Sequence, residues 1–90
     1  VVVASDIGYD EPAMAANRSG DLVVWWETPG RSIRARVRDG TGSWTSRFTL
    51  WPGPATGYYE GVQAALYPNG DLLSAVQRGH AVRVRRVSVG

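Results

Sequence analysis

The sequence predicts an all-β protein built from two copies of one β-meander. Three observations lead to this fold class. Eleven glycines and five prolines divide the 90 residues into short segments, which favours short strands and turns over helices. Several of those segments are rich in β-branched and aromatic residues, as strands are. The third observation is an internal repeat at an offset of about 50 residues, the length of one meander.

The repeat is clearest around a shared turn. Residues 9–22 align with residues 59–72, so that Tyr, Ala, Gly, Asp and Leu recur in register and Gly20 corresponds to Gly70. One deletion later, residues 33–36 align with residues 82–85. Several identities in register through one turn are hard to obtain by chance, so the two halves are expected to share one structure.

Each copy is predicted to form short antiparallel strands. In the first copy these are residues 13–17, 22–27, 33–38 and 44–50, and in the second they are residues 61–67, 72–77 and 82–87. Asn69-Gly70 is the strongest short hairpin signal in the chain. Residues 10–16 also carry a helix-start pattern, with Asp10 as cap and Pro12 in the first turn, but the aligned residues 61–67 favour a strand.

The second copy ends before any equivalent of its fourth strand. The β-rich residues 1–5 occur where the end of such a strand belongs, so joining end to start completes the second unit. We therefore expect residues 1–90 to form a single domain of two units. The first spans about residues 10–50, and the second comprises residues 59–90 plus 1–7, closed by exchange of strands between copies. Such closure removes an exposed sheet edge.

The composition narrows the classes of function. With no cysteine and a single histidine, His80, the chain has neither disulfides nor a zinc ligand set, and we expect no metal and no cofactor. Residues 1–50 carry six arginines and six acids, and residues 51–90 carry four arginines and two acids. This small excess of positive charge in the second half is not the strongly basic surface that is typical of nucleic-acid-binding proteins. No apolar run approaches ~18 residues, so no membrane-spanning helix is expected. The sequence does not distinguish a secreted from a cytoplasmic protein.

Two segments of the repeat resemble those of a β-propeller blade. Gly-Asp-Leu enters the second strand, and residues 39–44 (Asp-Gly-Thr-Gly-Ser-Trp) join the third strand to the fourth. That segment is similar to the Asp box of sialidase-like propeller repeats, with Thr41 in place of the usual glycine and Val37 in place of a serine. Residues 33–44 also resemble the strand-turn-Trp segment of small propeller lectins, including fucose-binding ones.

The resemblance implies an assembly and a function. The small lectins have two repeats in about ninety residues and assemble three chains into six blades, which implies a homotrimer here, with glycan sites at the blade junctions. Their fucose-binding members carry a Glu near the position of Ala35 and a Trp near the position of Arg38, and both are replaced here. The alternative is a fragment of a larger sialidase-like propeller with a structural or protein-binding role.

The candidate binding residues are aromatic and charged side chains that the hydrophobic core does not require. Trp51, Tyr58 and Tyr59 flank or lie within a Gly/Pro-rich connector, where they are suited to stack on sugars, while core or interface packing is about equally expected. Trp26, Glu27 and Arg38 are their possible partners, and Trp44 is assigned to structure.

The arginine stripe on the third strands (Arg34, Arg36, Arg38, Arg83, Arg85) admits phosphate binding, but pairing with carboxylates such as Asp21, Asp71 or Glu27 is favoured. The sequence places no general base beside a serine nucleophile, and the single histidine, His80, falls in a predicted turn. We therefore expect a binding protein and not an enzyme.

Overall fold

A computed structural model of the chain describes residues 1–8 and 11–89. Those residues form two antiparallel sheets and no helix, which confirms the all-β prediction. Sheet A contains β1 (Ala13–Ala16), β2 (Leu22–Glu27), β3 (Ile33–Arg38) and β4 (Phe48–Trp51) in that order, and sheet B contains β5 (Gly61–Leu66), β6 (Leu72–Arg78) and β7 (Ala81–Val87). Nothing in these ranges is a helix able to cross a membrane.

The predicted strands are found within one or two residues, except at the fourth. β4 begins at Phe48 and not at residue 44, because Thr45 interrupts the ladder. Its backbone N–H donates to the carbonyl of Val37, while its hydroxyl accepts the Val37 N–H at 3.0 Å. Trp44 forms only an isolated bridge with Arg38. Residues 13–16 are a strand, so the helix alternative is wrong; its proposed cap, Asp10, lies outside the described residues, as do Tyr9 and Gly90.

Equivalent turns join the first two strands of each sheet. Gly20 and Gly70 adopt φ of 87° and 90°, a left-handed conformation that costs glycine little. The two turns also contact each other, since the Asn17 amide donates to the carbonyl of Tyr67 at 2.9 Å. The hydroxyl of Ser19 donates to the carbonyl of Pro68 at 3.0 Å. The repeated turn therefore also ties one sheet to the other.

The strand registers of the two sheets match residue by residue. Trp26 lies opposite Arg34 in sheet A as Val76 lies opposite Arg83 in sheet B. We call the face that carries these residues the rear face of each sheet, and the opposite face the front face. The rear faces are Leu22, Val24, Trp26, Arg34 and Arg36 in sheet A, and Leu72, Ser74, Val76, Arg83 and Arg85 in sheet B.

The sheets stack with the front face of sheet A against the rear face of sheet B. The resulting hydrophobic core comprises Val23, Trp25, Ile33, Ala35, Val37, Leu50, Trp51, Leu72 and Val76. Because a front face meets a rear face, the two copies of the repeat are arranged head to tail and not face to face.

Polar contacts fix this stack where the end of β4 meets sheet B. The indole N–H of Trp51 donates to the hydroxyl of Ser74 at 2.9 Å, and that hydroxyl donates to the carbonyl of Gln63 at 2.8 Å. The Arg85 guanidinium lies 5.4 Å from the centre of the Trp51 ring and donates to the carbonyl of Leu50 at 2.8 Å. Sheet A thus supplies an aromatic ring and a carbonyl that sheet B binds by side chains.

The amino-terminal segment, residues 3–8, covers the rear face of sheet A. Asp6 accepts the indole N–H of Trp26 at 2.8 Å, and the Asp6 carboxylate lies 3.8 Å from Arg34. Arg36 donates to the carbonyl of Val3 at 3.0 Å. Arg34 and Arg36 therefore bind this segment, and not the carboxylates of Asp21, Asp71 or Glu27, because the segment lies against them.

Ser74→Ala is expected to loosen the stack. The substitution leaves the buried Trp51 indole N–H without its acceptor, which costs on the order of 1–3 kcal/mol of unfolding free energy. Chemical denaturation followed by tryptophan fluorescence measures that loss. Ser88→Ala, at an exposed position, is the matched control. Equal stability of the two variants would contradict the structural role given to Ser74.

Candidate functional site

A cleft of about 860 Å³ opens between the end of sheet A and the hairpin of β6 and β7. One wall is the connector from β4 to β5, which contributes Trp51, Tyr58 and Tyr59. The other wall is sheet B, which contributes Val76 and a set of charged side chains. The connector and the hairpin meet because both lie at the same end of their antiparallel strands.

The aromatic wall has one exposed ring and two that are held in place. Trp51 is only 8% exposed, and its ring centre lies 6.3 Å from that of Tyr59 at an interplanar angle of 59°. The Tyr59 hydroxyl donates to the carbonyl of Pro52. Tyr58 is 54% exposed, and the Arg31 guanidinium lies 5.5 Å from its ring centre. Tyr58 is therefore the ring most available to a ligand.

The charged wall is predominantly cationic. Arg78, Arg83 and Arg85 line the cleft together with one carboxylate, Glu60. That carboxylate accepts the backbone N–H of Gly79 at 3.1 Å and faces the side-chain amide of Gln77 at 3.3 Å, so it is engaged by the β6–β7 turn. Arg78 donates to the carbonyl of Thr56, which joins the hairpin to the connector.

Three of the six predicted site residues line the cleft: Trp51, Tyr58 and Tyr59. Trp26 does not, because it is 1% exposed beneath the amino-terminal segment. Glu27 is 3% exposed, lies 3.4 Å from Arg31 and reaches the cleft only through the contact of Arg31 with Tyr58. Arg38 is exposed at the opposite end of β3, beside Gly42.

The cleft also contains residues that the sequence prediction left out of the site. The sequence favours a structural role for Arg83 and Arg85 and does not single out Glu60 or Arg78 as binding residues. The alternating direction of antiparallel strands is the signal that locates them. The turn between β6 and β7 lies at Gly79, at the same end of sheet B where the connector enters β5. Residues next to that turn, such as Arg78, must lie near the connector.

The Asp-box-like turn at the opposite end is satisfied by its own groups. The Asp39 carboxylate accepts the Thr41 hydroxyl at 2.5 Å and the backbone N–H groups of Thr41 and Ser43 at 2.9 and 3.1 Å. These bonds, that of the Thr41 hydroxyl first, hold the pKa of Asp39 below its ordinary value of 3.8. Arg36 lies 5.5 Å from the ring centre of Trp44, so this turn is a structural cap.

No cluster of His, Asp or Glu suited to a metal ion occurs among residues 1–8 and 11–89. Comparison with protein-family models, with curated proteins and with solved structures finds no match to this chain. The assignment of a function therefore depends on the geometry of the cleft and of the two sheets.

Asp39→Asn is expected to lower the melting temperature at neutral pH, because the amide is a weaker acceptor for three converging donors. Since the folded-state pKa is below 3.8, the stabilisation is present above that pH and is lost as the pH falls through the lowered pKa. Thermal melts at about pH 7 and about pH 3 should therefore show a gap between variant and wild type that narrows in acid.

Glu11→Gln, at an exposed position, is the control for loss of a surface charge. A gap between Asp39→Asn and wild type that stays constant or widens in acid would show that the carboxylate does not support the turn.

Proposed function

We propose that this chain is a carbohydrate-binding protein, a lectin without catalytic activity, whose copies assemble into a β-propeller with glycan sites at the junctions between blades. The observation that carries the proposal is the cleft between sheets A and B, where Trp51, Tyr58 and Tyr59 face arginines and a carboxylate.

The chemistry of the cleft suits a sugar. A pyranose ring has an apolar C–H face that packs on an aromatic ring, and hydroxyl groups that bond to charged or amide groups. The cleft offers the half-exposed Tyr58 ring for the first and the guanidinium of Arg83 and carboxylate of Glu60 for the second. Its volume is within the ~300–1,000 Å³ of small-ligand sites.

The head-to-tail stack supports assembly of copies. The front face of sheet B carries an uncovered apolar patch: Val82 and Val84 are 69% and 62% exposed, and Leu73 and Ala75 lie beside them. The equivalent face of sheet A is the core that receives the rear face of sheet B. The rear face of sheet A in a second copy is therefore the surface that matches the front face of sheet B. Repetition of this contact closes a ring, as three chains of two blades do in the six-bladed lectins.

The amino-terminal segment supports the exchange of strands. Arg36 donates to the carbonyl of Val3 as Arg85, its equivalent, donates to the carbonyl of Leu50 on β4. Residues 1–5 thus occupy, against sheet A, the place that the fourth strand of a preceding blade would occupy. β7, at the edge of sheet B, has a free edge for such a strand. In the proposed ring that strand comes from residues 1–5 of the neighbouring copy.

A fragment of a larger propeller is the second candidate. The edge of β7 and the apolar patch on the front face of sheet B would equally accept a blade formed by further residues of a longer chain, with a structural or protein-binding role. A folded monomer at micromolar concentration that binds no glycan would favour this candidate over the lectin.

The double substitution Val82→Glu and Val84→Glu is expected to block assembly without unfolding the chain. Both side chains are exposed in the single chain, whereas assembly would bury the added charges in an apolar contact. Light scattering should give a particle of three 9.8 kDa chains for wild type and of one chain for the variant.

Arg18→Glu, in an exposed turn, is the control for added negative charge and should leave the particle size unchanged. Deletion of residues 1–5 should also disrupt the particle by removing the exchanged strand. A wild-type monomer, or a particle that is insensitive to both changes, would contradict the assembly.

Tyr58→Ala is expected to weaken glycan binding. Loss of a stacking ring costs on the order of 1 kcal/mol, by analogy with aromatic pairs, which is about a five- to tenfold higher Kd. A glycan array identifies the ligand, and calorimetry with that ligand measures the change. Trp51→Ala is a poor test, because Trp51 belongs to the core and its loss would destabilise the fold.

Tyr67→Ala is the matched control, because Tyr67 packs against Arg86 away from the cleft. Equal affinity of wild type and Tyr58→Ala would place the glycan elsewhere. No glycan bound by the wild-type protein would refute the lectin proposal itself.

A further inference from the structure

The repeat places an arginine at the same position on both rear faces, but only one of the two has a carboxylate partner. Arg34, opposite Trp26, lies 3.8 Å from the Asp6 carboxylate. Arg83, opposite Val76, has no hydrogen-bond or ion-pair partner among residues 1–8 and 11–89. Arg83 also points into the cleft, whose lining it joins.

The chain cannot supply the missing carboxylate from the equivalent position. The matching contacts of Arg36 with Val3 and Arg85 with Leu50 align the two segments, so that Asp6 corresponds to Gly53. Gly53 also lines the cleft. A Cβ at this position would lie 2.6 Å from the carbonyl oxygen of Gly30, so no residue with a side chain is accommodated there. The place occupied by a carboxylate in the first copy is thus open in the second.

In the first copy, side chains of the protein itself fill the equivalent space. There Trp26 occupies the position of Val76 and its indole N–H bonds to Asp6, so that the rear face is closed. Val76 is much smaller than an indole, and the cleft opens beside it. The second copy therefore lacks both the ring and the carboxylate that close the first.

The charge of the cleft agrees with this comparison. Three arginines face one carboxylate, and that carboxylate, of Glu60, is already hydrogen-bonded by Gly79. Arg85 is engaged with the carbonyl of Leu50, and Arg78 with that of Thr56. Arg83 remains as the guanidinium whose donors are open to a ligand, and a guanidinium matches the two oxygens of a carboxylate in a bidentate pair.

We infer that the cleft binds an acidic sugar, a uronic acid residue of an oligosaccharide, with its carboxylate on Arg83 and its ring against Tyr58. The inference rests on the proposed lectin function and names the class of glycan. The ligand carboxylate takes the role that Asp6 plays toward Arg34, and the sugar ring takes the space that Trp26 fills.

The test compares one oligosaccharide in two charge states. Calorimetry with an oligogalacturonate and with its methyl ester, which differ only in the carboxylates, should give at least about tenfold tighter binding of the acid by wild type, since charge-assisted bonds are the stronger ones. Arg83→Gln should abolish most of that preference. Arg18→Gln removes the same charge from an exposed turn and should retain the preference.

The outcomes separate the two proposals. Equal affinity for acid and ester, or a preference that survives Arg83→Gln, would overturn the acidic-sugar inference while leaving a sugar site in place. Failure of both oligosaccharides and of every glycan on an array would refute the lectin function, and the inference with it. Binding of an oligothymidylate as tight as that of oligogalacturonate, and equally dependent on Arg83, would also overturn the inference, because the cleft would then be a general anion site.

Discussion

The contact between the front face of sheet A and the rear face of sheet B determines the rest of the molecule. Each sheet has apolar side chains on both faces, so neither is stable alone in water, and a chain of 90 residues has little other core. Trp51 is central because it ends β4 in sheet A while its indole N–H bonds to Ser74 in sheet B. Where this stack ends, the connector leaves Trp51 and the β6–β7 hairpin begins, and the cleft lies between them. The fold and the candidate site are thus consequences of one packing arrangement.

Most of the fold was predictable because strand periodicity and the repeat supply the same information twice. Alternation of Ile33, Ala35 and Val37 with arginines assigns the faces of β3, and the alignment transfers that assignment to β7. The fourth strand was predicted too long, because the interruption at Thr45 comes from a side-chain hydrogen bond to the backbone that no periodicity reveals. The burial of Trp26 was equally hidden, since it depends on Asp6, twenty residues away in the chain.

The site was predictable to the extent that it is local in sequence. Trp51, Tyr58 and Tyr59 come together because a short connector carries all three. Glu27 and Arg38 do not join them, because Glu27 is buried behind Arg31 and Arg38 lies at the far end of β3. Arg83 could be placed in the cleft only with the register of β6 and β7, which puts it opposite Val76. Residues that meet across strands require the topology before their proximity can be inferred.

The two copies of the repeat differ at the position of the cleft. Trp26 and Asp6 close the rear face of sheet A, whereas a cleft lined by Val76 and Gly53 remains at the end of the rear face of sheet B. In the proposed ring of three chains, closed and open junctions therefore alternate, and the ring presents three equivalent clefts. A single shallow sugar site binds weakly, because few contacts are made and water competes for the hydroxyl groups. Clefts repeated around one rigid particle raise the effective concentration of the next site once the first is occupied. Under the proposed lectin function, the difference between the two copies and the symmetry of the assembly would act on the same property, the avidity for a surface that displays many copies of one sugar.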